Sequence, residues 1–204
     1  LNTRVEKLTV ENGRCKGIRV DGVREEYDAV LFNGDFPGIL PLLEGQPESK
    51  RSKPYRASSG CVLLYVGTSK RWEDPAAHQF FLPDSLSDGL QAVFERGMIP
   101  ANPSFYVFNP VVLDEHAALE GESVLYFLIP SPDASKITWS KEGKRLARKV
   151  LQAAEKRGFS GLRDSIEWIK MRTPEDAQKD GNYIGGSFGI APILVMWFGF
   201  DWQS

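Results

Sequence analysis

The sequence predicts an α+β fold (mixed α/β): a mostly antiparallel sheet with helices packed on it. Three observations predict it. Short apolar or aromatic runs at residues 60–66, 78–82, 105–108 and 123–129 are bounded by Gly, Pro and Asp, as strands joined by turns are. One longer segment, 140–157, repeats its apolar residues at helical spacing. The 204 residues are 42% hydrophobic and 25% charged, an ordinary globular balance that suffices to bury a sizeable core.

Taken in order, Leu1 to Val20 reads as a hairpin. Val5, Leu8 and Val10 lead into a turn at Glu11-Asn12-Gly13-Arg14, and Ile18 and Val20 lie on the return strand. Asp21-Gly22 makes a second turn. Residues 27–32 then read as a buried strand that stops at Asn33-Gly34-Asp35. A short helix is expected from about Pro37 to Leu43, with Asp35 as its N-cap and the proline where its missing N–H costs nothing. Residues 46–54 are polar, basic and proline-containing, and read as a surface loop or domain crossing.

The four strand runs follow. A helix near 85–96 intervenes, with Leu86, Leu90, Val93 and Phe94 on one face. The 140–157 helix turns Leu146, Val150, Leu151 and Ala154 inward, and Gly158 stops it. Lys141, Lys144, Arg145, Arg148 and Lys149 cover its other face, which suits water or an anionic lipid surface. A second helical stretch is expected around Leu162, Ile166, Trp168 and Ile169, and Thr173-Pro174-Glu175 starts another short turn. The segment 185–192 is rich in glycine. The tail from Ile193 to Trp202 is almost wholly apolar, and is expected to drive self-association, most simply as a homodimer, or peripheral membrane contact.

Charge and composition exclude several function classes. Lys+Arg 25 against Asp+Glu 27 leaves a net charge of -2, so the basic excess of nucleic-acid binders is missing. Two cysteines, Cys15 and Cys61, cannot build a disulfide scaffold, and both fall in strand-like runs as small buried thiols. The two histidines, His78 and His116, belong to no cluster with ligand spacing, so no metal site is expected. No apolar run is long enough for a membrane-spanning helix, and no signal peptide is evident, which points to a cytoplasmic setting. The phosphate-binding glycine motifs and the nucleophile elbow are absent. Leu1 runs at once into a strand pattern, as though the chain were part of something longer. His78 reads either as a pocket-lining or as a structural histidine; Asp114 and Glu115 read as turn carboxylates. No catalytic residue can be assigned from these patterns.

A resemblance carries the reading further. Val5, Gly17-Ile18-Arg19-Val20, Ala29-Val30-Leu31 and Asn33-Gly34-Asp35 follow the hairpin, glycine turn, aliphatic strand and N-A-D pattern of the phytoene desaturase-like flavoprotein oxidoreductases, the carotenoid and apocarotenoid desaturase family. Ser58-Ser59 to Gly67 is similar to that family's serine-led strand, and Ala77 to Phe81 to its histidine-containing strand. Residues 103–110, with Asp114, Ala117 and Gly121, resemble its P-S-x-Y-V…P…D…A…G series. Leu125 to Pro132 resembles its strand ending in P-x-P, and Gly185 to Pro192 its G-x-x-F-G-x-x-P element. The likeness is ordered and covers nearly the whole chain. It departs at Gly34, where alanine is usual, at Gln79, where a second histidine often stands, and at Phe198 to Asp201, where an aromatic-Arg-Pro is expected.

The resemblance implies a substrate domain at 46–184, flanked by a partial FAD-binding segment at 1–45 and by a return strand and tail at 185–204. In the parent enzyme FAD takes a hydride from a long isoprenoid chain and leaves a conjugated double bond. Val5, Asn33, Gly34, Asp35 and Gly186 are then the cofactor-side candidates. His78, Phe80, Phe105, Tyr106, Phe108, Tyr126 and Phe188 are the candidates for the wall of an apolar substrate site, and sheet core is the other role open to each aromatic ring. The glycine-rich β-α-β turn and the closing segment that hold FAD in such families are not in this sequence, so the chain alone is expected to bind no flavin and to be inactive. A non-catalytic carotenoid- or lipid-binding module and an assembly subunit remain as alternatives.

Overall fold

The structure, a computed structural model, describes residues 2–44, 55–73 and 76–191. The expected 46–54 crossing, the 45/46 boundary and the 193–202 tail lie outside the described residues.

The N-terminal part is a three-stranded antiparallel sheet of β1 (Lys7–Glu11), β2 (Arg14–Val20) and β3 (Val23–Glu26). Its turns explain it. Asn12 and Gly13 both have positive φ (50° and 76°), and so do Asp21 and Gly22 (49° and 75°). Such two-residue turns match the twist of paired strands and fix their register. Val20 pairs with Val23 across the second turn. Leu8 is buried and bridges to Leu43, and the Arg19 guanidinium sits 2.9 Å from Glu44, tying the end of this part back to the sheet.

One expectation fails here and a second holds in part. Residues 27–32 form no strand, and Leu31 is 94% exposed. A strand draws its ladder from a neighbour, and the second turn gives β2's free edge to Val23–Glu26 instead. The expected helix is a 3-10 helix, Phe36–Leu42, with Pro37 in its first turn. Asp35 stands at the N-cap position, but its side chain makes no capping bond.

The remaining residues build a five-stranded antiparallel sheet in the order β5-β6-β7-β4-β8. Its strands are β4 (Gly60–Thr68), β5 (His78–Phe81), β6 (Phe105–Phe108), β7 (Ser123–Ser131) and β8 (Ile166–Arg172). Three α-helices accompany it: α1 (Leu86–Phe94), α2 (Trp139–Lys156) and α3 (Pro174–Lys179). The central pair, β4 and β7, is in register from Gly60↔Ser131 to Thr68↔Ser123.

Period-2 alternation divides the sheet into two faces. Val62, Leu64, Val66, Phe81, Phe105, Val107, Leu125, Phe127 and Ile129 face the core, where α2 contributes Trp139, Leu146, Val150, Leu151 and Ala154. Leu146, Val150 and Leu151 each stabilise by roughly 1.5–3 kcal/mol through burial, while Lys144, Arg145, Arg148 and Lys149 stay in water, as their spacing predicts. Gly158, at φ 133°, follows the last turn. The helix α1 differs from expectation: only Ala92 and Val93 are buried, and Leu86, Leu90 and Phe94 remain exposed.

Residues 166–169 are likewise a strand, not a helix. The i, i+4, i+7 spacing of Leu162, Ile166 and Ile169 fits a helix, yet Leu63 to Thr68 offer an open edge and the ladder of β8 forms on it. The Thr173 turn does start α3. Thr173 Oγ1 accepts from the Asp176 N–H and Asp176 returns a bond to the Thr173 N–H, a reciprocal cap.

Candidate functional site

The sheet face turned away from α2 is the candidate site. Register places its side chains in two rows running across the strands. One row is His78 (β5), Phe108 (β6), Tyr126 (β7), Tyr65 (β4) and Lys170 (β8). The next is Phe80, Tyr106, Leu128, Leu63 and Arg172. With neighbouring strands about 4.8 Å apart, each row is about 19 Å long. Five of the predicted wall residues therefore share one surface: His78, Phe80, Tyr106, Phe108 and Tyr126.

Their rings touch. His78 stacks on Phe108 at 4.8 Å, Phe80 lies 5.1 Å from Tyr106, and Tyr65 lies 5.4 Å from Tyr126. Tyr106 reaches Tyr126 at 6.3 Å, so the rings form one continuous patch. The patch is half-exposed to exposed, with Phe80 at 73%. Beyond it, Trp168 lies over Gly67: a Cβ there would sit 2.1 Å from the indole nitrogen, so only glycine lets that ring settle on the sheet.

Two ionisable groups of this face are disfavoured as anions. Burial pushes the Tyr126 phenol up from its ordinary value, with Tyr65 adding to the effect, and burial likewise pushes the Cys61 thiol up against a hydrogen bond from Ser187. Neither group is a ready nucleophile or base at neutral pH. Among the described residues, no group of three His, Cys, Asp or Glu side chains could hold a metal ion.

Phe105 is the correction within this set. It is 2% exposed, stacked on Phe81 at 4.6 Å with rings 8° apart, and belongs to the core. One residue's step along a strand reverses the face, so it cannot line the same wall as Tyr106. Phe188 stands apart on a loop, 66% exposed. That loop touches the open face at Cys61, through Ser187.

The cofactor-side candidates fall into a different arrangement. Asp35 Oδ2 accepts from the Tyr183 N–H at 2.7 Å, so the N-terminal part is pinned to the loop 182–189. Ser58 Oγ accepts from the Phe188 N–H at 2.9 Å, and the Ser58 N–H donates to the Gly189 carbonyl at 3.0 Å. Gly186 packs against Ser58, where a Cβ would lie 3.0 Å from the hydroxyl oxygen. Sequence reasoning overlooked Tyr183 and read Ser58 only as the start of a strand. Asn33 and Gly34 are exposed, and Val5 lies just before β1, half-buried.

Flavin phosphates need free backbone N–H groups at a turn. Here the N–H groups of Gly185, Gly186 and Ser187 donate to the carbonyls of Asn182, Tyr183 and Ser59, and that of Phe188 to Ser58. The glycine loop thus spends its donors holding itself closed. Those four N–H groups leave no cradle for a pyrophosphate in this loop, and Gly186 acts as a close-packing glycine rather than a phosphate contact.

No family model matches the chain. Among curated proteins it is 42% identical to a 4,4'-diapolycopen-4-al dehydrogenase from Metabacillus indicus, over 95% of this chain and 39% of that protein. It is 32% identical to a zeta-carotene-forming phytoene desaturase from Myxococcus xanthus, over 92% of this chain and 37% of that protein. The chain thus spans about two fifths of the length of these relatives. An oxidoreductase from Methanosarcina mazei superposes with a TM-score of 0.48 at 14% identity, over 84% of this chain and 37% of that one, a likeness too slight to carry an inference.

Proposed function

We infer, from a chain that belongs to the phytoene desaturase-like family, that its aromatic sheet face is the wall on which a long conjugated isoprenoid lies during oxidation. The family is generally FAD-dependent, and the flavin supplies the redox chemistry when bound; the residues described here supply binding and orientation. The observation that carries this reading is the pair of rows of rings and aliphatic side chains, continuous across four strands on the one sheet face that lies outside the hydrophobic cluster. A patch of that kind on a soluble domain marks a binding surface. Its length suits a stiff polyene better than a compact ligand, and stacked rings contribute dispersion over the whole contact without ordering a flexible chain.

Oxidation of a terminal aldehyde is a second reading within the same site. The identity of 42% to a protein named for acting on an -al substrate, against 32% to a desaturase, favours it.

The test is binding of a long conjugated polyene hydrocarbon in detergent, followed by quenching of tryptophan fluorescence. Saturable binding that Phe108→Asp abolishes without unfolding the chain supports the wall. Binding that survives Phe108→Asp and Phe80→Asp together rejects it.

A further inference from the structure

The aromatic face carries one side-chain hydrogen bond that a purely apolar wall does not require. Tyr106 Oη and His78 Nδ1 lie 2.6 Å apart, on neighbouring strands and on the diagonal of the register. The imidazole is held nearly parallel to Phe108, with the rings 15° apart, so its plane is set. The phenol O–H can donate to Nδ1 in the tautomer that carries the ring proton on Nε2. In that tautomer Nδ1 is filled. Nε2 is then a donor, without a hydrogen-bond partner among the described residues, on an exposed side chain at the outer end of a row of rings. The other end of the rows is of opposite character: Lys170, and Arg172 paired with Asp180 at 2.8 Å.

We propose that His78 Nε2–H, held in that tautomer by Tyr106, binds the carbonyl oxygen of a polyene ending in an aldehyde, so that the pair selects an oxygenated end-group over a hydrocarbon one. His78 is the binding residue and Tyr106 a positioning residue that acts through it. The inference rests on the polyene-wall reading and adds the end-group. An aldehyde oxygen accepts the bond without needing a counter-charge, a methyl terminus cannot accept it, and a carboxylate would favour the cationic end instead. One neutral hydrogen bond corresponds to about a two- to tenfold preference.

The experiment titrates the chain with two probes in detergent micelles: a long conjugated polyene with one terminal aldehyde, and the same polyene ending in methyl. The wild-type chain binds the aldehyde about two- to tenfold more tightly. The bound aldehyde's visible band moves to the red, because a donor at the carbonyl stabilises the more polar excited state. His78→Phe keeps the stacked ring, brings the aldehyde's affinity down to that of the hydrocarbon and abolishes the red shift. Tyr106→Phe keeps its ring as well and diminishes both the preference and the shift. Equal wild-type affinities overturn the proposal and leave the polyene wall standing, as does a preference that survives both variants or is removed by Lys170→Met instead. If neither probe binds the wild-type chain, the wall and the proposal fall together.

Discussion

Phe105 and Phe108 sit on the same four-residue strand and face opposite ways, which makes them a sharp test of how the sheet is divided. Phe105 is 2% exposed, stacked on Phe81 and 6.3 Å from Phe127. A buried phenylalanine removes about 200 Å² from water, worth about 5 kcal/mol as an upper bound at ~25 cal/mol per Å². Compactness of the unfolded chain lowers that by about a quarter, and truncations of this kind measure about 3–5 kcal/mol. Phe105→Ala is therefore expected to destabilise by about 4 kcal/mol, a large part of the roughly 5–15 kcal/mol that holds a domain folded. Phe108 is half-exposed, and Phe108→Ala should lose about 1 kcal/mol, chiefly its stacking on His78. Urea unfolding followed by the fluorescence of buried Trp72 and Trp139 measures both. Should Phe105→Ala leave no folded chain to titrate, Phe105→Leu keeps most of the volume and should cost under about 1.5 kcal/mol without altering polyene affinity. A Phe105→Ala loss of about 1 kcal/mol or less, or a larger loss at Phe108 than at Phe105, would refute the division of the sheet into core and wall.

Three further outcomes are expected. Leu146→Asp places an unpaired charge where α2 meets the sheet and should destabilise by a few kcal/mol, whereas Lys144→Glu on the wet face should stay within about 0.5 kcal/mol of the parent; chemical denaturation showing the reverse order would reject the assignment of helix faces. Asp35→Ala removes the acceptor of the Tyr183 N–H and should cost about 1 kcal/mol, with faster amide hydrogen exchange confined to residues 182–189; unchanged exchange there would show that Asp35 does not pin the loop. The Thr173 hydroxyl and backbone N–H hold the Asp176 carboxyl below the usual carboxylate range, so its contribution to stability is full above the ordinary pKa and lost as pH falls through the lowered one. The stability gap between the parent and Asp176→Asn should thus shrink in acid below about pH 4; a gap that widens there would contradict the cap.

By itself the sequence determined what depends on neighbours along the chain. Asn12-Gly13 and Asp21-Gly22 specify their turns because only residues tolerant of positive φ close so tight a reversal, and the hairpin follows. The 3.6 period of Leu146, Val150 and Ala154 specified both α2 and its inner face, because one side of a helix is a property of spacing. The ordered motifs, from Ser58-Ser59 through Pro103–Pro110 to Gly185–Gly189, also carried the resemblance to the phytoene desaturase-like family.

Tertiary structure decided what depends on the partner across a gap. Residues 166–169 have spacing that serves helix or strand, and the open edge of β4 chose strand. Residues 27–32 have strand composition but no ladder, because hydrogen bonds between strands must be supplied by a neighbour. Alternation along 105–108 was legible, yet its parity was not: which of Phe105 and Tyr106 meets the core depends on the side from which α2 covers the sheet. The cross-strand rows, which bring the unforeseen Tyr65, Leu63 and Leu128 in beside predicted wall residues, and the diagonal bond between His78 and Tyr106 exist only once register is fixed. Register is set by the hydrogen bonds of whole strands together, which no local stretch of sequence contains.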